Sequence, residues 1–358
     1  MSRGYDFEDM KQRCHAFWHM EPTDRPLIAM YVGNWVPGLS YPSGTARMPE
    51  DVITPESVPI KEFLADYERL YQVHLDAGGD IPWVAVPYWG IPWLEAILGC
   101  QIQHSAGTAW SEPWMKGYEA LDTLSVSADN AWLKKLLEFT EALVDLSNRR
   151  FPVGQTLMRG ISDLVAALRG HTQSILDLYD HPEELDVLIE RLTSIWMQVA
   201  RAHMELIPPF QGGSVLGVVW PVWAPDTAGW TQEDAAALWS PTFFRQYLLP
   251  KVRELTSMFE FGGVHLHSPF LYPVEQYLTV DSVRVIEINK DVRGPTLPEL
   301  APTIREIQEA GKPVLVWGEF DDADLEFVCQ ELDPRGLCLQ MIARSVEHAH
   351  HILGRLGA

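Results

Sequence analysis

Residues 262–269 read Gly-Gly-Val-His-Leu-His-Ser-Pro, a short β-branched and apolar run that begins at Gly-Gly and is stopped by Ser-Pro. Such a run predicts the end of a strand, and the two-residue spacing puts His265 and His267 on one face of it. Working outward toward the C-terminus, strand-like and helix-like segments alternate. A helix near Tyr272–Leu278 leads to a strand Val283–Asn289, a helix Leu297–Ala310 to a strand Val314–Phe320, and a helix Asp322–Leu332 to a strand Gly336–Ala343, before a last helix Val346–Leu356. Strands spaced by helices in this way form βαβ units, and such units make a parallel sheet.

Upstream the same reading continues less regularly. A helical, charged start from Tyr5 to Met20 leads to a buried strand Leu27–Val32 with Asn34 and Trp35 at its end, and then to a Pro- and Gly-rich loop from Pro37 to Pro59. Next come a helix Ile60–Ala77, a strand Ile81–Trp89, a short helix Trp93–Leu98, an irregular segment holding Trp110 and Trp114, a helix Asn130–Asn148 and a strand Phe151–Leu157. Arg159, Ser162 and Asp163 stand at the opening of the following helix. An amphipathic helix Pro182–Leu206 precedes a strand Gly213–Trp220, a tryptophan-rich loop to Trp230, and a helix capped by Ser240 that runs to Met258. Counted in this way there are about eight strands, the number that closes a barrel. The expected fold is α/β: a (β/α)8 TIM barrel with N-terminal helical and loop decorations, one domain over residues 1–358 with no repeat or linker to divide it.

The net charge of -22 makes nucleic acid and anionic membrane poor partners, since both call for an electropositive surface. No long uncharged apolar stretch and no leader-like start is present, so the expected location is cytoplasmic. The cysteines Cys14, Cys100, Cys329 and Cys338 are too scattered for a disulfide framework or a zinc ribbon. No phosphate loop, nucleophile elbow or dinucleotide fingerprint occurs.

In a barrel the chemistry belongs at the C-terminal ends of the strands. There, Glu287 and Asn289 share a face, as do Trp317 and Glu319, and Cys338 and Gln340. The metal set suggested by this clustering is His265 and His267 with Cys338 and Glu319, N, S and O donors that suit zinc. Each addition has a plainer reading: Cys338 as a small buried hydrophobe, Glu319 as part of the acidic start of a helix. Glu287 reads as a general base or as the partner of Arg159 or Arg293. Asn34, Trp89, Trp220, Trp223, Asn289 and Gln340 are the expected substrate-binding residues. The tryptophans, with Trp83, Trp93 and Trp230, either wall an aromatic pocket or cage a methylated cation, or simply seal the barrel. His348, His350 and His351 read as surface residues of the last helix.

Several stretches together resemble the uroporphyrinogen decarboxylase superfamily, which includes cobalamin-dependent methyltransferases: "AFWHMEPTDRPLIAM", "RGISDLVAALRG…LDLYDHPEEL", "SPTFFRQYLLP", "GGVHLHSP" and "GLCLQMIARSVEHAHHIL". The resemblance implies a TIM barrel, a small-molecule substrate and, on the methyltransferase branch, zinc, a corrinoid partner protein carrying methylcobalamin, and a homodimer. True decarboxylases carry Arg-Gln-Ala-Gly-Arg after the first strand, where this chain has Tyr31-Val32-Gly33-Asn34-Trp35. The methyltransferase branch has His-x-Cys on the strand of His265, so His267 stands in the Cys place, and Cys338 lies near a later Cys. The leading expectation is therefore a metal-dependent, methyltransferase-like enzyme. Two alternatives stand beside it. One is a metal-free decarboxylase or lyase of a small aromatic acid using Glu287, Arg159 and Asp163; the other is a non-catalytic ligand-binding barrel.

Overall fold

The computed structural model describes residues 5–34, 36–217 and 220–358. Its strands, in chain order, are β1 (Leu27–Val32), β2 (Asp51–Ile53), β3 (Gln101–Ser105), β4 (Thr108–Glu112), β5 (Ser214–Gly217), β6 (Trp220–Ala224), β7 (Ala228–Gln232), β8 (Phe261–His267), β9 (Val283–Lys290), β10 (Val314–Gly318) and β11 (Leu337–Ala343). A six-stranded sheet in the order β1-β11-β10-β9-β8-β7 forms the centre, and every neighbouring pair in it is parallel. Strand β11 is buried along its whole length and β10 likewise, as expected of parallel strands covered on both faces.

The helices of the C-terminal third follow from their caps. Thr296 with Glu299, and Asp321 with Asp324, form capping boxes at the starts of Leu297–Glu309 and Asp322–Glu331. Ser345 caps Val346–Leu356, which ends at Gly357 with φ +72°.

The N-terminal half departs from the sequence reading in instructive ways. The stretch Ile81–Trp89 forms no regular strand, nor does Phe151–Leu157; each keeps only isolated parallel bridges, Ala85 to Val153 and Gln155 to Gly217. Pro82, Pro87 and Pro152 remove the N–H groups that a continuous ladder needs. The Pro37–Pro59 stretch is not one long loop: it holds the short helices Pro37–Ser40 and Pro42–Thr45 and strand β2, which joins β3 and β4 in a small antiparallel sheet. Trp110 lies on β4. The helix after Ser240 contains a π-helical turn, Phe244–Leu248, just before Pro250, whose missing N–H is thereby accommodated. The stretch 220–230 holds the largest discrepancy. Rather than a loop, it pairs β6 with β5 and then enters the central sheet as β7.

Two buried histidines hold distant segments together, His74 a helix to β1 and His203 a helix to the extended segment at Thr156. His74 Nε2 accepts the Val32 N–H at 2.8 Å while Nδ1 faces Leu70 O at 2.7 Å. His203 Nε2 accepts the Thr156 N–H at 3.1 Å. Burial lowers both from 6.5 to about 4, and protonation would also remove the acceptor each presents to a backbone amide. Because the folded value lies below the unfolded one, the unfolded chain binds more protons as pH falls from 6.5 toward 4. Stability should thus be complete above 6.5 and drop by up to about 1.4 kcal/mol per pH unit for each histidine within that window. Urea unfolding at pH 7 and pH 5 tests this, and the slope should diminish in His203→Gln.

A candidate metal centre at the strand ends

A β-bulge decides what stands beside the two histidines. Gly262 pairs with Val283 and Gly263 with Val285, so one residue is skipped on β9 and His265 then lies opposite Glu287 and His267 opposite Asn289. Without that skip, each histidine would meet a residue whose side chain points to the other face. The bulge needs Gly262: a Cβ there would lie 2.7 Å from both the Thr256 and Ser282 carbonyl oxygens.

Each imidazole is held through Nδ1 by a carboxylate. Glu287 bonds His265 Nδ1, and Asp291 Oδ1 lies 2.7 Å from His267 Nδ1. Asp291 is fixed in turn by the Ser268 N–H at 2.8 Å, and the Asn289 amide lies 3.0 Å from its Oδ1 and 3.1 Å from the same His267 nitrogen. The Nε2 atoms are thereby turned toward Asp234, whose carboxylate oxygens lie 3.8 Å from His265 and 3.7 Å from His267. One donor atom from each of Asp234, His265 and His267 falls within 4.8 Å of the others.

Asp234 is delivered by the turn Asp234–Leu238 that follows β7. This turn and the helix Ile161–Arg169 hold each other by reciprocal bonds. Glu233 accepts the Ile161 and Ser162 N–H groups at 3.1 and 2.7 Å, capping a helix whose own N-cap, Gly160, has no side chain to do so. Asp163 accepts the Asp234 and Ala235 N–H groups at 3.2 and 3.0 Å.

The electrostatics fit a cation. Burial alone would make His267 less basic, but Asp234 and Asp291 outweigh it and push it up to about 10. His265 is also raised, burial being overcome by Glu287, and Asp234 is lowered because the two imidazoles outweigh its burial. Burial pushes Glu233 up to about 8, with Asp163 adding to the shift; burial and then Asp234 push Asp163 to about 7. Each ring thus has Nδ1 committed to a carboxylate and Nε2 turned toward the Asp234 carboxylate, the arrangement in which an imidazole presents a nitrogen to a metal.

The fold of this chain is similar to that of a methyltransferase from Methanosarcina mazei. The match to this methyltransferase has a TM-score of 0.67 and covers 98% of each chain at 15% sequence identity. No protein-family model matches the sequence, and no curated protein does. Among the described residues no helix is long and apolar enough to cross a membrane.

The structure brings His265, His267, Glu287, Asn289 and Asp163 together and leaves other expected residues apart. Cys338, expected as a metal ligand, is only the second residue of β11. It lies beside Leu27 at the start of β1, near Cys14 of the N-terminal helix, and burial raises its thiol well above the ordinary value. Glu319 points into solvent toward Arg344 at 3.1 Å. Glu287 partners His265 instead of an arginine. Arg159 stands over Glu95, Nε to Oε1 at 3.3 Å. Asn34 is exposed and its side chain accepts the Val36 N–H. Trp223 is buried at the opposite end of the sheet, where its carbonyl accepts from Trp18. Trp83, Trp93 and Trp230 are core residues, Trp89 is half-buried, Gln340 is buried in register with Trp317, and the Trp220 side chain lies outside the described residues. His350 and His351 are exposed and His348 half-buried. The sequence reading did not pick out Asp234 or Asp291. Asp291 continues the alternation Glu287, Asn289; Asp234 follows a strand whose sequence, AGWTQ, is too short and polar to announce itself.

For a zinc ion held at this candidate centre, Glu287→Gln should weaken binding about 10- to 100-fold, because His265 loses the carboxylate that orients it and raises its basicity. Titration against a zinc-chelating dye measures this. A change under threefold would argue against the proposed ligand arrangement.

Proposed function

We propose that this chain is a metal-dependent methyltransferase-like enzyme whose zinc is held by Asp234, His265 and His267, and that it transfers a methyl group between a small substrate and a corrinoid partner protein. The observation that carries this reading is the convergence of two imidazole Nε2 atoms and one carboxylate, with the far side of each ring fixed by Glu287 or Asp291. Three protein donors with a further position open is the pattern of a catalytic zinc rather than a structural one. When bound, the metal supplies Lewis acidity to a substrate heteroatom, making it a better nucleophile or leaving group. The chain's own residues do the rest. Glu287 and Asp291 hold the ring orientations, and Asp163 and Glu233 hold the turn that presents Asp234.

The same reading extends the six parallel strands to a closed (β/α)8 barrel, the two extended segments near Ala85 and Val153 filling the gap between β1 and β7. The parallel bridges support it, as do the Asp80 N–H bond to Ile28 O at 2.9 Å and the two bonds by which the Gln155 carboxamide donates to Trp230 O and accepts the Trp230 N–H. The likeness in fold to the methyltransferase is a further support. A metal-free lyase is less well served, since the carboxylates it would use are engaged by His265 and by backbone amides.

Protein purified without chelator should contain about one zinc per chain, and with cob(I)alamin and a panel of methylated small molecules it should form methylcobalamin, seen by its absorbance. His265→Ala and His267→Ala should abolish both. Metal-free protein with undiminished turnover in both variants would remove this reading.

A further inference from the structure

Arg159 differs from Arg25, Arg150 and Arg169 in what its guanidinium does. Arg25 grips Asp80 with both terminal nitrogens at 2.6 and 2.7 Å, Arg150 grips Glu68 at 2.9 and 2.7 Å, and Arg169 holds Asp177 at 2.7 and 3.0 Å. The closest approach of Arg159 to Glu95 is Nε to Oε1 at 3.3 Å, and among the described residues its terminal nitrogens have no hydrogen-bond partner. Its side chain remains 47% exposed although its base is fixed: the carbonyl accepts the Trp196 indole N–H at 3.1 Å, and the next residue, Gly160, is wedged against the Gln232 backbone. Glu95 beneath it is only 1% exposed, and its Oε1 makes no hydrogen bond among the described residues. Arg159 immediately precedes Gly160, the N-cap of the helix whose Asp163 accepts the Asp234 and Ala235 N–H groups, so it stands on the same clasp that presents Asp234 to the centre.

An arginine present only to neutralise those carboxylates would lay its fork along one of them, as the other three do. A guanidinium backed by one buried carboxylate, with its two-pronged edge left open to solvent beside a catalytic centre, is matched to a planar oxyanion arriving from outside. We propose that Arg159, positioned by Glu95, binds the carboxylate of a small anionic substrate whose methylated heteroatom reaches the centre formed by Asp234, His265 and His267. This names the substrate class for the function proposed above and rests on that reading for the position of the reacting end. Arg159 is thus a specificity-determining residue, and Glu95 a positioning one.

The test is calorimetric, on zinc-loaded protein, with methoxyacetate and (methylthio)acetate against their neutral amides. The parent should bind the carboxylates at least about tenfold more tightly than the amides. Arg159→Gln should erase that preference without changing zinc content or melting temperature, and Arg159→Lys should keep part of it. Equal binding of anion and amide, no binding of any of the four, or a preference that survives in Arg159→Gln would each overturn the proposal. Repeating the titration in His265→Ala separates the two readings. A carboxylate preference that persists there and still depends on Arg159 supports the anion site even if the metal chemistry fails; a preference that needs zinc and ignores Arg159 refutes it.

Discussion

Asp234→Asn is expected to weaken zinc binding by at least about 100-fold while leaving the melting temperature within a few degrees of the parent. The substitution keeps the size of the side chain and removes the one anionic donor of the set. It leaves untouched the clasp between turn and helix, because the bonds to Asp163 come from the backbone N–H groups of residues 234 and 235. The partial bond from the Gln232 amide, at 2.6 Å to Asp234 Oδ2, remains available to the new carboxamide oxygen. His265→Ala and His267→Ala should do at least as much damage. Affinity should also depend on pH in a definite direction. In the metal-free protein His267 holds its proton up to about 10 and His265 is raised as well, so zinc must displace protons to reach Nε2. Zinc binding should therefore strengthen as pH rises through neutrality, roughly tenfold per unit for each proton released. Competition titrations at pH 6, 7 and 8, with proton release followed in weakly buffered solution, measure both effects. Unaltered affinity in Asp234→Asn would show that the metal, if bound, is held elsewhere.

Gly160→Ala is expected to destabilise the protein by about 3 kcal/mol and to weaken zinc binding at the same time. A Cβ at this position would lie 1.4 Å from the Gln232 carbonyl oxygen and 2.9 Å from the Glu233 side chain. Neither obstacle can move freely: Gln232 pairs with His265 in the sheet and Glu233 is bonded to the helix that Gly160 opens. Relief requires the helix to back away from β7, which lengthens the four bonds of the clasp and shifts Asp234 relative to the imidazoles. Urea unfolding gives the first effect, and zinc titration under native conditions the second. Parent-like stability in Gly160→Ala would mean that the approach of helix to strand is looser than the structure shows.

The sequence disclosed the parts of this molecule whose signals are local. The C-terminal strands and helices were legible because their strands are buried on both faces and their helices carry capping residues. The imidazole pair was legible because both members lie on one strand. What escaped depends on contacts between distant segments. Proline-interrupted stretches near Ala85 and Val153 look like strands by hydrophobicity yet lack the donors to make ladders. Strand β7 hides behind a tryptophan-rich, glycine-containing stretch, and with it went Asp234. Cys338 and Glu319 join the histidines by face parity, and Cys338 also by the family resemblance, but parity fixes the side of a strand and not the height along it. Cys338 stands near the bottom of β11 whereas His267 is the last residue of β8.

The reciprocal clasp has a consequence for how such a centre could change over generations. In the centre proposed here, the carboxylate of Asp234 takes its position from a helix that contributes no donor of its own. Drift at Ile161, Ser162 or Asp163 can therefore nudge donor spacing by fractions of an ångström with every ligand still in place. Directed evolution toward a different ion should find its early gains along that helix, and only afterwards at the ligands themselves.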